Sequence, residues 1–265
     1  MSSGAAVKMN RTTLRAFSGA ARYEFRMQVR HRAVWITLLI MSLICFTGLR
    51  NPWNYGTQTP LDTVIGEWAV VVNAFLPVGF GTLLADRLVR DRRLHVDELL
   101  ETTAASPNAR LWGKYLGSAL ATTAPIFLVY LAGIGYVVAK WGDVRALPVA
   151  HAAFTVINVP GLLFVAAFSV VCPVVLWVPL YRFLFIGYWF WGNLLSPIYG
   201  IPTISDTPLT PLGEWAASGI FNAHGSFGRG ITAWQGASSI ALLLGCAVIP
   251  IIAAQWYLHW RQRKR

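Results

Sequence analysis

The sequence predicts an all-α membrane protein, a polytopic six-span transmembrane helix bundle with an N-terminal interfacial amphipathic helix. Composition is the first observation behind this class, because 55% of the 265 residues are hydrophobic and only 12% are charged. The mean hydropathy of +0.52 is typical of polytopic membrane proteins. The second observation is that apolar runs long enough to cross a bilayer recur along the chain, with basic residues at their ends. The net charge of +11 therefore reflects topology, and we expect no nucleic-acid partner.

Residues 1–32 are predicted to form a cytoplasmic tail followed by an amphipathic helix in the inner membrane interface. One face of this helix is apolar and another is basic. Their members are Leu14, Phe17, Ala21 and Phe25 on the apolar face and Arg22, Arg26 and Arg30 on the basic face. A basic flank that only fixes the topology of the first span is the alternative, and the sequence leaves it open.

The transmembrane domain is predicted over residues 33–258. Its six spans are placed at 33–49, 64–85, 115–139, 152–178, 183–201 and 236–258. Prolines make the limits of the fourth span hard to place, and residues 179–182 are predicted to form a tight turn before the fifth. A basic tail, 259–265, follows the sixth span.

Charge predicts the orientation of the bundle. With the N-terminus inside, 18 of the 22 Lys and Arg residues lie on the cytoplasmic side and only 4 lie outside. We therefore expect an integral protein of a bacterial inner membrane with both termini in the cytoplasm. The long outer loop, 202–234, contains the apolar patch Trp215–Phe221, which is too short to cross the bilayer. This loop either dips back into the outer leaflet or lies on the surface.

The cytoplasmic loop 86–114 holds 11 of the 33 charged residues of the chain. At helical spacing it separates an apolar face from a charged face. The apolar face has Leu88, Val89, Val96, Leu99 and Leu100, and the charged face has Arg90, Arg93, Asp97 and Glu101. Ser106-Pro107 ends this amphipathic helix, and proline suits the first turn of the next helix. The mixture of charges favours a protein groove over an anionic lipid surface as the partner.

The order of these features resembles the permease subunits of ABC exporters of the type-2 class. The matching residues are Arg90-Asp91, Asp97-Glu98-Leu99-Leu100, Ser106-Pro107 and Gly113-Lys114. In that family the loop between the second and third spans carries a coupling helix that sits on the ATPase subunit. The resemblance implies an ATPase-coupling role for Arg90, Asp91, Arg93, Val96, Asp97, Glu98, Leu99, Leu100, Glu101 and Arg182. It also implies re-entrant helices as an outer gate, although the usual Asn-Pro of the family is replaced here by Asn222-Ala223.

Polar and aromatic residues within the predicted spans are candidates for a substrate path. Asn73 and Asn193 lie at mid-span depth, and so do Tyr188 and Trp191 in the aromatic-rich fifth span. Polar groups in lipid usually face a cavity or a neighbouring helix. Packing of the bundle through interhelical hydrogen bonds and aromatic contacts is the alternative for these four residues.

The leading functional prediction is the permease subunit of an ATP-driven exporter. The chain has no P-loop motif and no catalytic constellation, so we expect neither enzyme activity nor a metal on it. ATP and Mg are expected on a separate ABC ATPase subunit, with a second permease copy or homologue completing the path. Two alternatives stay open. One is an ion-coupled or passive transporter, which the scarcity of charge within the spans disfavours, and the other is a membrane scaffold without transport activity.

Overall fold

The computed structural model describes most of the chain, namely residues 11–48, 50–93, 106–196, 198, 200–223 and 230–263. The described residues form ten α-helices and no strand. In chain order they are α1 (Arg11–Val29), α2 (Arg32–Phe46), α3 (Leu61–Leu84), α4 (Arg87–Arg93), α5 (Pro107–Trp141), α6 (Ala146–Ala153), α7 (Val159–Val171), α8 (Val178–Gly187), α9 (Glu214–Phe221) and α10 (Ala233–Arg263). The predicted all-α class is thereby confirmed. π-Helical turns at Phe154–Asn158 and Tyr188–Leu194 join α6 to α7 and extend α8.

Among the described residues, four helical segments are long and apolar enough to cross a membrane, as expected of an integral membrane protein. They are Leu61–Arg90, Asn108–Trp141, Ala146–Val174 and Ala233–Tyr257. A fifth candidate exists if α1 and α2, which meet at a bend of 64°, are counted as one broken span. The end of the bundle where α3 leads into α4 is called the α4 end, and the opposite end, where α10 begins, is called the α9 end.

The two predicted spans at 33–49 and 183–201 are not among these segments as independent helices. Helix α2 has only 15 residues, and α8 has ten followed by the seven-residue π-turn. Helix α8 also begins at Val178, before the predicted turn at 179–182, because Pro179 occupies the first helical turn, where it has no hydrogen bond to lose. Six spans, and the interfacial placement of the helix at Arg11–Val29, therefore stay predictions.

Helix α5 begins where the sequence predicts. The Ser106 side chain accepts a hydrogen bond from the Ala109 backbone N–H at 3.3 Å, and Pro107 follows in the first turn. The helix then runs without a break to Trp141. It ends at Gly142, whose φ of 67° is in the left-handed region that closes many helices.

Helix α3 is the centre of the bundle. The side chains of Trp68, Leu76 and Phe80 are almost completely buried. The Trp68 indole N–H donates to the Tyr130 carbonyl of α5 at 2.9 Å. Gly133, one turn further along α5, leaves the space that this indole occupies, since a Cβ there would overlap the ring. Burial of such large apolar groups is the main stabilising contribution of the core.

Helix α1 packs closely along the first turns of α5. Gly113 and Gly117 of α5 allow this approach, because a Cβ at Gly117 would lie 2.5 Å from the Ala21 carbonyl oxygen, and one at Gly113 would lie 2.8 Å from the Phe17 carbonyl oxygen. Small residues one turn apart let two helix backbones meet. The Gly113-Lys114 pair singled out in the sequence therefore begins a docking surface for α1.

Helix α8 follows only part of α3. Arg182 donates from Nε to the Thr82 carbonyl at 3.0 Å, and Trp189 donates from Nε1 to the Ala74 carbonyl at 2.7 Å. The π-turn after α8 ends at Leu194, near the middle of α3. Residues 200–213 have no regular secondary structure, and α9 follows them at Glu214.

Candidate functional site

A buried polar cluster joins α1, α4 and α5 at the α4 end of the bundle. Glu24 Oε1 of α1 lies 3.8 Å from Arg87 Nη1 of α4, and both side chains are at least nine-tenths buried. Gln28, one turn after Glu24, donates from Nε2 to Glu24 Oε1 at 3.2 Å and to Ser118 Oγ of α5 at 2.7 Å. Because removing one partner of a buried charge pair is costly, this cluster fixes where α4 begins relative to α1 and α5.

A second connection at the same end comes from α8. Arg182 Nη2 lies 4.0 Å from Asp86 Oδ2, in addition to the bond from its Nε to Thr82. Asp86 directly precedes Arg87, so α1 and α8 both contact the chain at the point where α4 starts. We call Glu24, Gln28, Asp86, Arg87 and Arg182 the α4 junction. These contacts connect the start of α4 to both α1 and α8.

The structure describes only some of the residues predicted to couple to an ATPase. Arg182 belongs to the α4 junction, and Arg90 is exposed on α4. The backbone at Asp91 and Arg93 is helical and completes α4. The remaining predicted coupling residues lie outside the described residues. They are Val96, Asp97, Glu98, Leu99, Leu100 and Glu101.

Asn73 connects the irregular segment before α9 to the centre of the bundle. Its Nδ2 lies 2.8 Å from the Pro211 carbonyl oxygen, 3.2 Å from that of Leu212 and 3.3 Å from that of Ile157. The Asn73 side chain is completely buried. Gly161 of α7 makes room for this contact, since a Cβ there would collide with the Pro211 carbonyl. Asn73 therefore holds together three segments that are far apart in the sequence.

The segment 202–213, which we call the returning segment, is held by polar contacts along its length. Thr210 Oγ1 lies 3.3 Å from Asn193 Oδ1, and the backbone N–H groups of Ile204 and Ser205 both donate to the Gly192 carbonyl at 2.7 Å. Near the α10 side, Ser239 donates to the Pro208 carbonyl at 2.7 Å. These bonds replace the regular pairing that an irregular backbone lacks when it is buried.

The four predicted path residues occupy different environments. Asn73 and Asn193 are buried and bonded to backbone or to Thr210. Tyr188 is half-buried. Trp191 is 55% exposed and donates from Nε1 to the Pro202 carbonyl at 3.3 Å. The structure thus brings Asn73 and Asn193 to the same returning segment, and it leaves Trp191 on the surface of α8's π-turn.

Acidic groups surround one arginine near the α9 end. Arg50 Nη1 lies 3.6 Å from Glu67 Oε2 in α3, and Glu67 is buried. Glu214, the first residue of α9, belongs to the same charged environment. Burial, followed by repulsion from Glu67, raises the pKa of Tyr55 to about 12, and attraction to Arg50 opposes this effect.

Sequence reasoning missed Glu24, Gln28 and Glu214 as parts of functional clusters. Glu24 and Gln28 are one turn apart, and their polar side chains do not fit the apolar or the basic face predicted for α1. That mismatch was a usable signal for a buried partner. Glu214 gave no such signal, because an acid in the first turn of a helix is ordinary.

The comparisons with known proteins do not assign the chain to a family. No protein-family model matches the chain, and no curated protein matches its sequence.

Proposed function

We propose that this chain is the transmembrane permease subunit of an ATP-driven ABC exporter. It works with a separate ATPase subunit, which binds ATP and Mg, and with a second permease copy or homologue. The α4 junction is the observation that supports this proposal most strongly. A charged loop that only connected two spans would need neither the buried contact to α1 nor the partly exposed contact to α8, whereas a loop that transmits force needs both.

The proposed mechanism is mechanical. The ATPase subunit holds the amphipathic helix that the sequence predicts in loop 86–114, and closure of two ATPase subunits on ATP displaces it. Glu24 and Arg87 transmit the displacement to α1 and α5, and Arg182 transmits it to α8. The π-turn that follows α8 contacts the returning segment through Asn193. Movement at the α4 end therefore reaches the α9 end.

The returning segment is the proposed gate at the α9 end. This segment contacts α3 through a hydrogen bond from Asn73, and it contacts α7 through close backbone packing at Gly161 rather than through a long apolar face. Elements held by a few polar contacts open at lower free energy than packed core helices. Opening of this segment creates a path beside α8, where Trp191 and Tyr188 lie.

The alternative of an ion-coupled transporter requires an acid or base that titrates within the bundle. The observation that favours it is a pair of acids near the α9 end, because Glu67 is buried and the Oε2 atom of the partly buried Glu214 is inaccessible to solvent. The two functions differ in their energy source. Export that stops when ATP is removed and continues when the proton gradient is collapsed supports the exporter, and the opposite result supports the ion-coupled transporter.

The orientation has its own test. We propose that both termini and loop 86–114 face the cytoplasm and that the returning segment faces outward. Reporter domains fused after Arg265 or inserted near Asn108 should therefore be cytoplasmic, and a reporter near Thr207 should be external. An external signal from the Asn108 insertion contradicts the proposed topology.

The decisive experiment concerns the amphipathic helix of loop 86–114. Charging its apolar face with Leu99→Asp and Leu100→Asp should abolish co-purification with the ATPase subunit and the stimulation of its ATP hydrolysis. Reversing Glu98 and Glu101 to Arg should have the same effect through the charged face. Asp143→Asn, an acid in the turn after α5 at the other end of the bundle, is the control and should bind the ATPase normally. Normal ATPase binding by both charged variants would sink the assignment.

A further inference from the structure

Glu214 is a partly buried acid at the first turn of α9. Its Oε2 atom is inaccessible to solvent and has no hydrogen-bond partner among the residues that the structure describes. The preceding Gly213 has a φ of 78°, and a Cβ there would lie 2.7 Å from the Ile157 side chain, so the start of α9 packs directly against Ile157. A buried carboxylate without a partner is costly, whereas a neutral carboxyl group is much less so.

Within the described part of the chain, two of the three charged groups that act on Glu214 are acidic. Arg50 approaches it from the segment after α2, Glu67 from α3 and Asp206 from the returning segment. Arg50 is already in contact with Glu67. Helix α10 and the π-turn Phe154–Asn158, which also pack against α9, contribute no charged side chain near it, since α10 has none between residues 233 and 257. Among the described residues, Arg50 is thus the basic group whose charge acts on Glu214, against the two acids Glu67 and Asp206.

Helix α9 lies tightly against α3, so the charge of Glu214 matters for its position. A Cβ at Gly66 would lie 2.8 Å from the Ala223 side chain and 3.1 Å from that of Phe221. Thr63 Oγ1 donates to the Asn222 carbonyl at 3.4 Å. An ionised Glu214 at one end of this short helix attracts water or moves away from Glu67, and both responses weaken the contact with α3.

We propose that Glu214 is a proton-binding residue that keeps α9 closed against α3 when it is neutral and loosens α9 when it ionises. The proposal rests on the packing of α9 and on the acids around it, and it holds whether or not the chain is an ABC permease. It adds to a transporter a control that depends on the proton concentration at the α9 end.

Electrostatics support this proposal in magnitude and direction. Burial raises the pKa of Glu214 from 4.5 to about 7, repulsion from Glu67 and Asp206 adds to the effect, and attraction to Arg50 opposes it. The closed state therefore holds the proton more tightly than an open state in which the carboxyl group is hydrated. Closure is most stable below the ordinary pKa of 4.5 and loses that stability as the pH rises to about 7.

Hydrogen exchange on the purified full-length chain in detergent tests the proposal without any ATPase partner. After correction for the intrinsic chemistry of exchange, opening of α9 should increase by up to about tenfold per pH unit until the pH reaches about 7, and then level off. Glu214→Gln keeps the neutral shape and should remove this dependence. Asp62→Asn, an exposed acid at the start of α3, is the matched control and should behave as the unmodified chain.

Two outcomes overturn the proposal. The first is that the corrected rate of hydrogen exchange in α9 of the unmodified chain does not change between about pH 5 and about pH 8. The other is a Glu214→Gln variant with the same pH dependence as the unmodified chain. The measurement on the unmodified chain decides the question even where the variant fails to fold. Failure of ATPase binding in the Leu99 and Leu100 variants leaves this test unaffected.

Discussion

Removal of the Asn73 side chain should release the returning segment from the bundle. Asn73→Ala deletes an amide that lies within 3.3 Å of three carbonyl oxygens, those of Ile157, Pro211 and Leu212. The amide has two hydrogens, so it makes two full hydrogen bonds at a time. Each buried bond contributes about 1 kcal/mol, and a carbonyl left without a partner costs about 1–3 kcal/mol. We therefore expect opening of this segment to become easier by about 2–3 kcal/mol.

Hydrogen exchange resolved by residue is the assay for Asn73→Ala. A change of about 2–3 kcal/mol corresponds to a loss of protection on the order of 30- to 150-fold, because about 1.4 kcal/mol is a factor of ten. This loss should be confined to the backbone around residues 204–221. The first turns of α3 and the packed middle of α5 should keep their protection, since neither depends on the Asn73 amide.

Asn158→Ala is the matched control for this experiment. Asn158 is also a completely buried asparagine, and its Nδ2 donates to the Ala69 carbonyl of α3 at 2.9 Å. Loss of the Asn158 side chain should lower the stability of the whole bundle, and it should not selectively expose the returning segment to exchange. Equal exchange profiles for the two variants would refute the role of Asn73, and an unchanged profile for Asn73→Ala would show that packing alone holds the segment.

Three further substitutions test the packing around these sites. Gly161→Ala should destabilise the chain by about 1–3 kcal/mol, because the added methyl group collides with the Pro211 carbonyl; the thermal unfolding midpoint should fall. Gly117→Val should separate α1 from α5, and protease cleavage within α1 should become faster. Lys140→Met should free the loop after α2, because the ammonium group donates to the Tyr55 carbonyl at 2.6 Å, and exchange in residues 50–56 should increase.

Both glycine substitutions have a control at a glycine with open space around it. Gly135 and Gly187 have no neighbouring atom within 4 Å of an added Cβ, so alanine at either position should be tolerated within about 0.5 kcal/mol. Gly19 has equally open space on α1 and is the control for Gly117. A Gly161→Ala variant as stable as Gly135→Ala would show that α7 shifts freely and does not fix the returning segment.

The helical class and the four long candidate spans could be predicted because their signals are local. Continuous apolar runs mark α3, α5, the continuous helical segment α6–α7 and α10. An apolar helix of this length can be buried in lipid or in protein, so its prediction does not depend on knowing its neighbours. The start of α5 was predictable for the same reason, since Ser106 and Pro107 act within one turn. The same local rule placed the start of α8 too late, because Pro179 was interpreted as a turn and not as a first-turn residue.

The α4 junction could be predicted only in part. The charge pattern of loop 86–114 indicated a helix that needs a partner, and Arg182 was implied by the resemblance. Its connection to Glu24 and Gln28 depends on the approach of α1 to α5, which two glycines on another helix permit. Helical periodicity identifies the face of a helix but not the neighbour that covers it.

The course of the returning segment was decided by the tertiary structure alone. Residues 202–213 have no periodic pattern, so the sequence left a surface loop and a loop that dips inward as equal alternatives. Buried carbonyl groups need hydrogen-bond donors. The carbonyl groups of Pro211 and Leu212 accept from Asn73, which precedes Pro211 by 138 residues. The charge environment of Glu214 arises in the same way, from Arg50 and Glu67 on distant segments. Such contacts depend on distances in the folded chain, which local sequence does not encode.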